Sequence, residues 1–417
     1  MFNLKSKLSA VLAALLCAGT ALAQDSGPLI DLLIKKGLIN DQEGEELRAD
    51  LTREASAAVV STISGGKSTV GLSITGRLQA QFVNAATDIS GTTADPASTN
   101  HFFLRRVYLG AKANLTHDFS ATFNYDFAGS TFDAAYITWK QSPDLSVDIG
   151  FRKAPIGYDE WLTSSGKLKA IERSSITRYF VESNNGRRLG AGSYRQGVFV
   201  NGTNPNGFNY QVAITNPERN EDGIAGVNSA GTSANNNFAY WAQAGYSGKS
   251  GDTTYVFGGS LGYLPDQGGK TLGKGDNLTV GGLYADVSKG PFSLSGEYYY
   301  SANEHGNATG TADANPSGWY LQPSYRIGDK IELVARYCHI DSDGRGVSLS
   351  DGIRSGPSGG AMNLADDYYV GGNYYFNGWD TVLQVGYIWG QTKNSVSGAS
   401  GPKANIEGFR AQMQVNF

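Results

Sequence analysis

Cysteine is nearly missing from this 417-residue chain, with Cys17 among the first residues and Cys338 the only other. A lone cysteine cannot close an internal disulfide, and no cysteine cluster is present for a metal or redox centre. Charge is sparse, with Asp, Glu, Lys and Arg together making 17% of residues. Histidine occurs four times, at His101, His117, His305 and His339, in no sequence context that marks a hydrolase. Beyond the first residues no window is long and apolar enough for a membrane helix, which needs about 20 such residues. Any membrane-spanning role would therefore fall to strands. What is plentiful is glycine and aromatic surface, 55 Gly, 23 Tyr, 18 Phe and 6 Trp, a composition that points away from a helical enzyme.

The two ends carry different signals. Residues 1–23 hold Lys5 and Lys7, an apolar run from Leu8 to Leu16, and Ala21-Leu22-Ala23 before Gln24. A basic start, a short hydrophobic stretch and a small-residue cleavage site read as an export signal. Cys17 follows Leu16 rather than a small residue, which disfavours a lipoprotein site. Loss of this leader would leave 32 basic and 38 acidic residues, a net charge of −6. At the other end Phe409, Ala411, Met413, Val415 and Phe417 alternate with Arg410, Gln412, Gln414 and Asn416. Such a strand has one face for hydrocarbon and one for water, as in the closing strand of a bacterial outer-membrane barrel.

From Pro28 to about Thr62 the pattern is helical, with Leu29, Leu32, Leu33 and Ile34 in one stretch and Asn40 or Asp41 as an N-cap ahead of Glu43. A Ser/Thr/Gly linker near 61–69 follows, so 24–69 is expected to be a periplasmic helical segment with its linker. From 70 to 417 sixteen alternating segments of about ten residues can be marked. They lie near 70–84, 101–115, 119–127, 131–141, 145–153, 187–200, 208–216, 237–247, 253–263, 278–288, 291–302, 317–327, 330–341, 366–376, 379–390 and 405–417. A tilted strand crosses a bilayer in about 9–11 residues, and bacterial barrels use even strand numbers. Short links such as Thr116-His117-Asp118, Lys289-Gly290, Gly328-Asp329 and Asn377-Gly378 alternate with long ones such as 85–100, 154–186, 217–236 and 342–365. That is the pattern of periplasmic turns and extracellular loops. The expected fold is all-β, a 16-stranded antiparallel transmembrane β-barrel with a short N-terminal helical segment.

Phasing each strand sends apolar residues to lipid and charges inward, because an Arg or Lys at the lipid midplane costs about 2–4 kcal/mol. Leu78 and Phe82 then face out, with Arg77, Gln79 and Gln81 facing in. Val107, Leu109 and Ala111 go out, and Arg106, Tyr108, Lys112 and Asn114 go in. Leu145, Val147, Ile149 and Phe151 go out, and Asp148 and Arg152 go in. Ile331, Leu333 and Ala335 go out, leaving Glu332 and Arg336 inside with Arg410. Sixteen strands enclose enough space for an aqueous channel, so the interior is expected to be polar and largely wet.

The longest link, about 154–186, carries Ile156, Trp161, Leu162, Leu168 and Ile171, which open solvent would serve poorly. Folding back into the barrel, where it would narrow the lumen, accommodates them. From Arg152 to Arg188 eight basic residues face four acidic ones on an otherwise acidic chain. A constriction lined by one sign of charge concentrates counter-ions, and Arg/Lys linings suit anions. Arg offers forked donors to oxyanions and Lys a compact charge. Pairing of Lys169 or Arg173 with Glu172 would weaken this effect.

Gly150-Phe151-Arg152-Lys153-Ala154-Pro155-Ile156-Gly157, with Thr163-Ser164-Ser165 and Glu172-Arg173-Ser174, resembles the phosphate-selective porin O and P family. Leu29 to Ile39 and the closing strand Phe409 to Phe417 are similar to it as well. The resemblance implies a trimeric sixteen-stranded barrel whose infolded third loop carries constriction lysines, with arginines along the lumen wall. By position Lys167 and Lys169 are similar to those lysines, and Arg77, Arg106, Arg152, Arg336 and Arg410 to the wall arginines. The expected pore and anion-binding residues are Lys167, Lys169, Arg173 and Arg152, with Arg77, Arg106, Lys112, Arg336 and Arg410 on the wall.

The expected role is passive diffusion of small hydrophilic solutes through a Gram-negative-type outer membrane, with anion preference and, as a narrower reading, phosphate selectivity. Its partners would be small anions or other small solutes, outer-membrane lipid and two further copies of the chain, with no nucleic acid, metal, cofactor or catalytic residue. Two other readings stay open at this point. One is a general or sugar-type porin using aromatics such as Tyr125, Tyr136 and Trp139, and the other a non-conducting structural or adhesive barrel.

Overall fold

The computed structural model describes residues 60–65, 68–91, 98–182, 185–217, 237–265, 276–395 and 403–417. The leader and nearly all of the helical preface fall outside them. Strand β1 (Val60–Gly65) pairs antiparallel with the start of β2 (Ser68–Ile89), from Gly65↔Ser68 to Val60↔Ser73. The stretch read as a linker thus contains a hairpin. The described residues up to Ile74, with Phe417, fall in one unit, and those of Thr75–Asn416 form a second.

The strands after β2 are β3 (Thr99–Asn114), β4 (Phe119–Asp126), β5 (Thr131–Ser142), β6 (Leu145–Lys153), β7 (Tyr194–Thr203), β8 (Phe208–Thr215) and β9 (Ala239–Ser250). They continue as β10 (Thr253–Leu264), β11 (Leu278–Lys289), β12 (Phe292–Asn303), β13 (Ser317–Ile327), β14 (Ile331–Asp341), β15 (Met362–Asn377), β16 (Thr381–Ser395) and β17 (Ala404–Asn416). Each pairs with its neighbours in sequence, and β17 returns to β2 in a register running from Asn416↔Arg77 to Ala404↔Ile89. β2 to β17 therefore close a sixteen-stranded ring. Closure matters because hydrocarbon offers no partner to an unpaired backbone group, and a ring has no edge.

Short turns join β3–β4, β5–β6 and every second pair thereafter, and long connections join the others. The exception is the short 127–130 link, as expected from the sequence. Gly251, Gly290, Gly328 and Gly378 hold the tight turns with φ of 61, 55, 58 and 51°, a left-handed region that costs glycine little. Large apolar residues such as Ile149, Leu261, Leu283, Leu333, Val370, Phe409 and Met413 are exposed on the outside, where the bilayer would cover them. Gln79, Gln81, Arg106, Glu332, Arg336, Arg410, Gln412 and Gln414 are buried on the inside.

Two positions break the expected alternation. Phe151, read as lipid-facing, is only 1% exposed and stacks on Tyr194 with ring centroids 5.6 Å apart. Gly150 before it has φ 137°, and a Cβ there would strike the backbone of Ala135 and Tyr136, so the strand is irregular at a point only glycine can occupy. On β3 the adjacent Arg105 and Arg106 both reach inward, Arg105 to Glu172 at 2.6 Å and Arg106 to Gln79 at 2.7 Å.

The segment read as the start of β7, 187–193, instead remains in the long loop. Its backbone is satisfied there, since Leu189 and Ala191 donate to the carbonyls of Tyr179 and Phe180, each at 2.8 Å. A second inward loop, 342–361, was not anticipated. It carries the short helix α2 (Leu349–Gly352), whose Leu349 and following Ile353 pack against Val83, Ala85, Ile388 and Ile406.

Candidate functional site

The loop 154–193 enters the barrel through a π-helical turn, Gly157–Leu162, and leaves it through helix α1, Ser175–Phe180. Ser174 caps α1 by accepting from Thr177 N at 3.2 Å. Ile156, Ile176, Tyr179, Phe180, Val181 and Leu189 are all buried against inward residues such as Phe199, Leu264, Val280, Tyr299 and Ile340. A fully buried side chain of this size is worth about 1.5–3 kcal/mol, so this half of the loop is part of the folded core. The interior on this side is thus dry and apolar, where the sequence suggested polar and wet.

Polar contacts fix the entry of the loop. Glu297 on β12 accepts from Tyr158 N, from Asp159 N at 3.1 Å and from the Tyr299 hydroxyl at 3.0 Å. Asp159 accepts from Ser174 N at 2.9 Å, joining the two arms. Arg173 pairs with Glu160 and lies 3.6 Å from Asp159, while Lys153 pairs with Glu160 at 2.7 Å.

Between these arms residues 163–173 form a strap that follows the wall from β2 back to β14. Irregular backbone needs donors for its carbonyls, and wall side chains supply them. Gln79 reaches Ser165 O at 3.1 Å, Gln414 reaches Gly166 O at 2.9 Å, and Gln384 reaches Leu168 O at 2.9 Å. Asn373 reaches Lys169 O at 2.9 Å, and Arg336 reaches Glu172 O at 2.9 Å and Arg173 O at 3.2 Å. The inward glutamines expected to meet water therefore serve as brackets for the strap.

The residues singled out from the sequence separate into distinct environments. Lys167 is exposed and has no ion pair among the described residues. Lys169 is held by Ser293, by Ser324 at 3.1 Å and by Glu332 at 3.5 Å. Arg173 is buried and paired, as above. Arg152 pairs with Asp148, and its guanidinium lies 4.7 Å from the Trp161 ring centre and 5.3 Å from that of Tyr136. Arg77 binds Asn416 at 2.8 Å and Ser165 at 2.6 Å, and Arg410 donates to Arg354 O. Lys112 is exposed near the short-turn end.

Which wall remains open follows from burial. Inward side chains of β12, β14, β16 and β17 lie beneath the loops, as do Arg105 and Arg106 of β3, whereas those of β4 and β5 and of β3 beyond Arg106 are more open. Tyr108, Thr122, Asn124, Tyr136 and Thr138 are half-buried, and Lys112, Asn114 and Lys140 are exposed. At the short-turn end this wall bounds a cavity of ≈ 570 Å³ lined in part by Lys112, Lys140, Thr138, Ser146 and Asn201. Lys140 was not singled out from the sequence, although its inward phase relative to Tyr136 and Thr138 would have marked it. Arg105 and Arg354 were also passed over. Both bind Glu172, at 2.6 and 3.4 Å, and only the fold brings them together.

Three histidines each sit beside one aspartate, His117 with Asp118, His305 with Asp276 and His339 with Asp366, at separate places in the fold. Among the described residues no group of three His, Cys, Asp or Glu side chains is arranged for a metal ion.

A closed sixteen-stranded barrel, apolar outside and narrowed within by an infolded loop, defines an outer-membrane porin. The family described as Phosphate-selective porin O and P matches residues 73–417, and the chain belongs to it. None of the curated proteins matches. Among solved structures, the anion-selective porin from Comamonas acidovorans shares 14% identity at a TM-score of 0.57, covering 84% of this chain and 100% of its own. OprB of Pseudomonas putida shares 10% identity at 0.54, covering 83% and 94%. The outer membrane channel DcaP of Acinetobacter baumannii shares 14% at 0.51, covering 85% and 100%. At these identities the likeness concerns the fold. The protein is a channel-forming barrel of the Gram-negative outer membrane.

Proposed function

We propose that this porin passes small anions in preference to cations, along the β3–β6 wall, with Lys167, Lys112 and Lys140 supplying the attractive potential. The observation that carries this reading is the state of the charges there. These three lysines have no ion pair among the described residues, while two carboxylates of this wall, Asp148 and Asp133, are engaged. Asp148 is taken by Arg152 and by Thr138 at 2.6 Å, and Asp133 by Tyr194, by Tyr108 at 3.2 Å and by Asn124 at 3.3 Å. A low-dielectric passage lined by unpaired cations raises the local concentration of anions.

General anion preference fits better than a tight phosphate site. Lys169, which would be a second cation beside Lys167, is committed to Ser293, Ser324 and Glu332. On the strength of the family we also read the working form as a homotrimer, with the leader 1–23 removed and 24–69 on the periplasmic side.

The test is the reversal potential in a potassium chloride gradient. A unit charge 4 Å from a passing ion is worth about 1 kcal/mol in water-like surroundings, so Lys167→Glu, a change of two charges acting oppositely on the two ions, should lower the chloride-to-potassium permeability ratio at least about tenfold even after salt screening. Cation preference in the unaltered protein would overturn the assignment and leave the pore standing.

A further inference from the structure

Behind the strap lies a small, narrow space that the passage along β3–β6 does not use. Its cavity of ≈ 20 Å³ is bounded by Arg173 of the strap, Arg336 of β14, Arg354 of the second inward loop and Arg410 of β17, with Tyr369 and Ile388 completing the wall. Carboxylates also border it, but each is already engaged. Glu172 holds Arg105 at 2.6 Å and Arg354 at 3.4 Å. Glu182 holds Arg178 at 3.0 Å, Arg354 at 3.6 Å and Arg188 at 3.9 Å. Asp367 accepts from the Ser175 hydroxyl.

Two guanidiniums make no direct ion pair, although Asp367 acts on Arg336 and Glu172 on Arg410 from a greater distance. Arg336 and Arg410 are 6% and 3% exposed, and their hydrogen bonds go to neutral oxygens, the carbonyls of Glu172 and Arg173 and the Gln322 amide for Arg336, and that of Arg354 for Arg410. Arg336 Nε, Arg410 Nε and Nη1, and Arg173 Nη1 are buried and find no hydrogen-bond acceptor in the protein. Burying a cation without a direct ion-pair partner is costly, and two arginines with unpartnered buried donors, Arg336 and Arg410, line one space, whereas Arg173 Nη1 faces Asp159. About 10–15 Å³ of such volume is needed for one water-sized particle, so the space holds a single small particle and is too small for a tetrahedral oxyanion.

We propose that this pocket binds one halide-sized anion, chloride under physiological conditions, as a fixed structural ion that bolts the strap to the wall. It adds a counter-charge in direct contact with Arg336 and Arg410, which no side chain supplies at ion-pair distance, and it joins strap, second inward loop, β14 and β17 at one point. The site is separate from the anion preference of the open wall. It is narrow, it lacks Lys167, Lys112 and Lys140, and it would hold its ion whichever way the passage selects.

The test uses the full-length protein refolded in detergent. Thermal unfolding is followed at constant ionic strength while sodium gluconate is exchanged for sodium chloride or bromide, and crystals grown in bromide are measured at its absorption edge. The expected results are a saturable rise in Tm of a few degrees with either halide and an anomalous peak between Arg336 and Arg410. Arg410→Gln should remove the halide dependence. Wild-type Tm that is indifferent to halide, or bromide found only along the open wall with water between the two arginines, would overturn the proposal. The bromide map needs no variant to fold, and neither readout depends on ion selectivity.

Discussion

Replacing residues 163–173 by a short Gly/Ser link should raise single-channel conductance several-fold while leaving the barrel folded. A sixteen-stranded ring encloses an aqueous channel unless something occupies it, and here the strap does. The barrel should survive because the strap is held mainly by polar groups, and Arg105 and Arg354, freed of Glu172, would meet water in the opened site instead of staying buried and unpaired. Gln79, Gln384, Gln414 and Asn373 would exchange loop carbonyls for water, which costs little once the site is open. The apolar arm, Ile176, Tyr179, Phe180 and Leu189, stays in its core in such a variant. Because the link removes Lys167, chloride preference should fall together with the rise in conductance. Unchanged conductance would mean that the strap does not limit the passage.

Glu172→Gln is expected to destabilise the protein by about 3–5 kcal/mol, the usual effect of removing one partner from a buried ion pair. Arg105 and Arg354 would be left facing one another across a neutral amide, with Arg410 close by. Burial by itself would raise the Glu172 carboxyl, but Arg105 and Arg354 outweigh that and hold it well below the usual carboxylate range. The sign follows from linkage. With a depressed pKa in the folded state, the stabilisation is fully present above the ordinary glutamate value and is lost only as pH falls through the lower folded one. Thermal unfolding in detergent should therefore show the cost of Glu172→Gln undiminished from pH 8 to about 5, and shrinking only in stronger acid. A deficit that vanished already at pH 6 would contradict the ion-pair explanation.

Much of the barrel could be read along the chain, because a strand between lipid and lumen must alternate and a hairpin must turn. Leu333, Glu332 and Arg336 fall on the expected faces, and so do Met413, Gln412 and Arg410. What alternation cannot convey is what lies on the inward side. Gln412 and Asn124 both point inward, yet the first sits under the strap and the second faces the open passage. The difference arises from a loop whose course depends on contacts far away in sequence, such as Glu297 with Tyr158 and Asn373 with Lys169.

The departures have local causes too. Gly150 adopts a backbone conformation that moves Phe151 out of phase, and 187–193 finds its hydrogen bonds inside the loop instead of in β7. Lysine spacing alone made Lys167 and Lys169 look equivalent. Ser293, Ser324 and Glu332 set them apart, and those partners lie more than 120 residues away.

The central claim is that water and ions run along β3–β6 while the strap seals the opposite wall. Single cysteines at Asn124 and at Gln412, treated from either side of a planar bilayer with a small membrane-impermeant thiol reagent, address it directly, since native Cys338 is buried. Asn124→Cys should lose conductance in rapid steps, and Gln412→Cys should be protected. Equal rates at both positions, or faster reaction at Gln412→Cys, would contradict that claim.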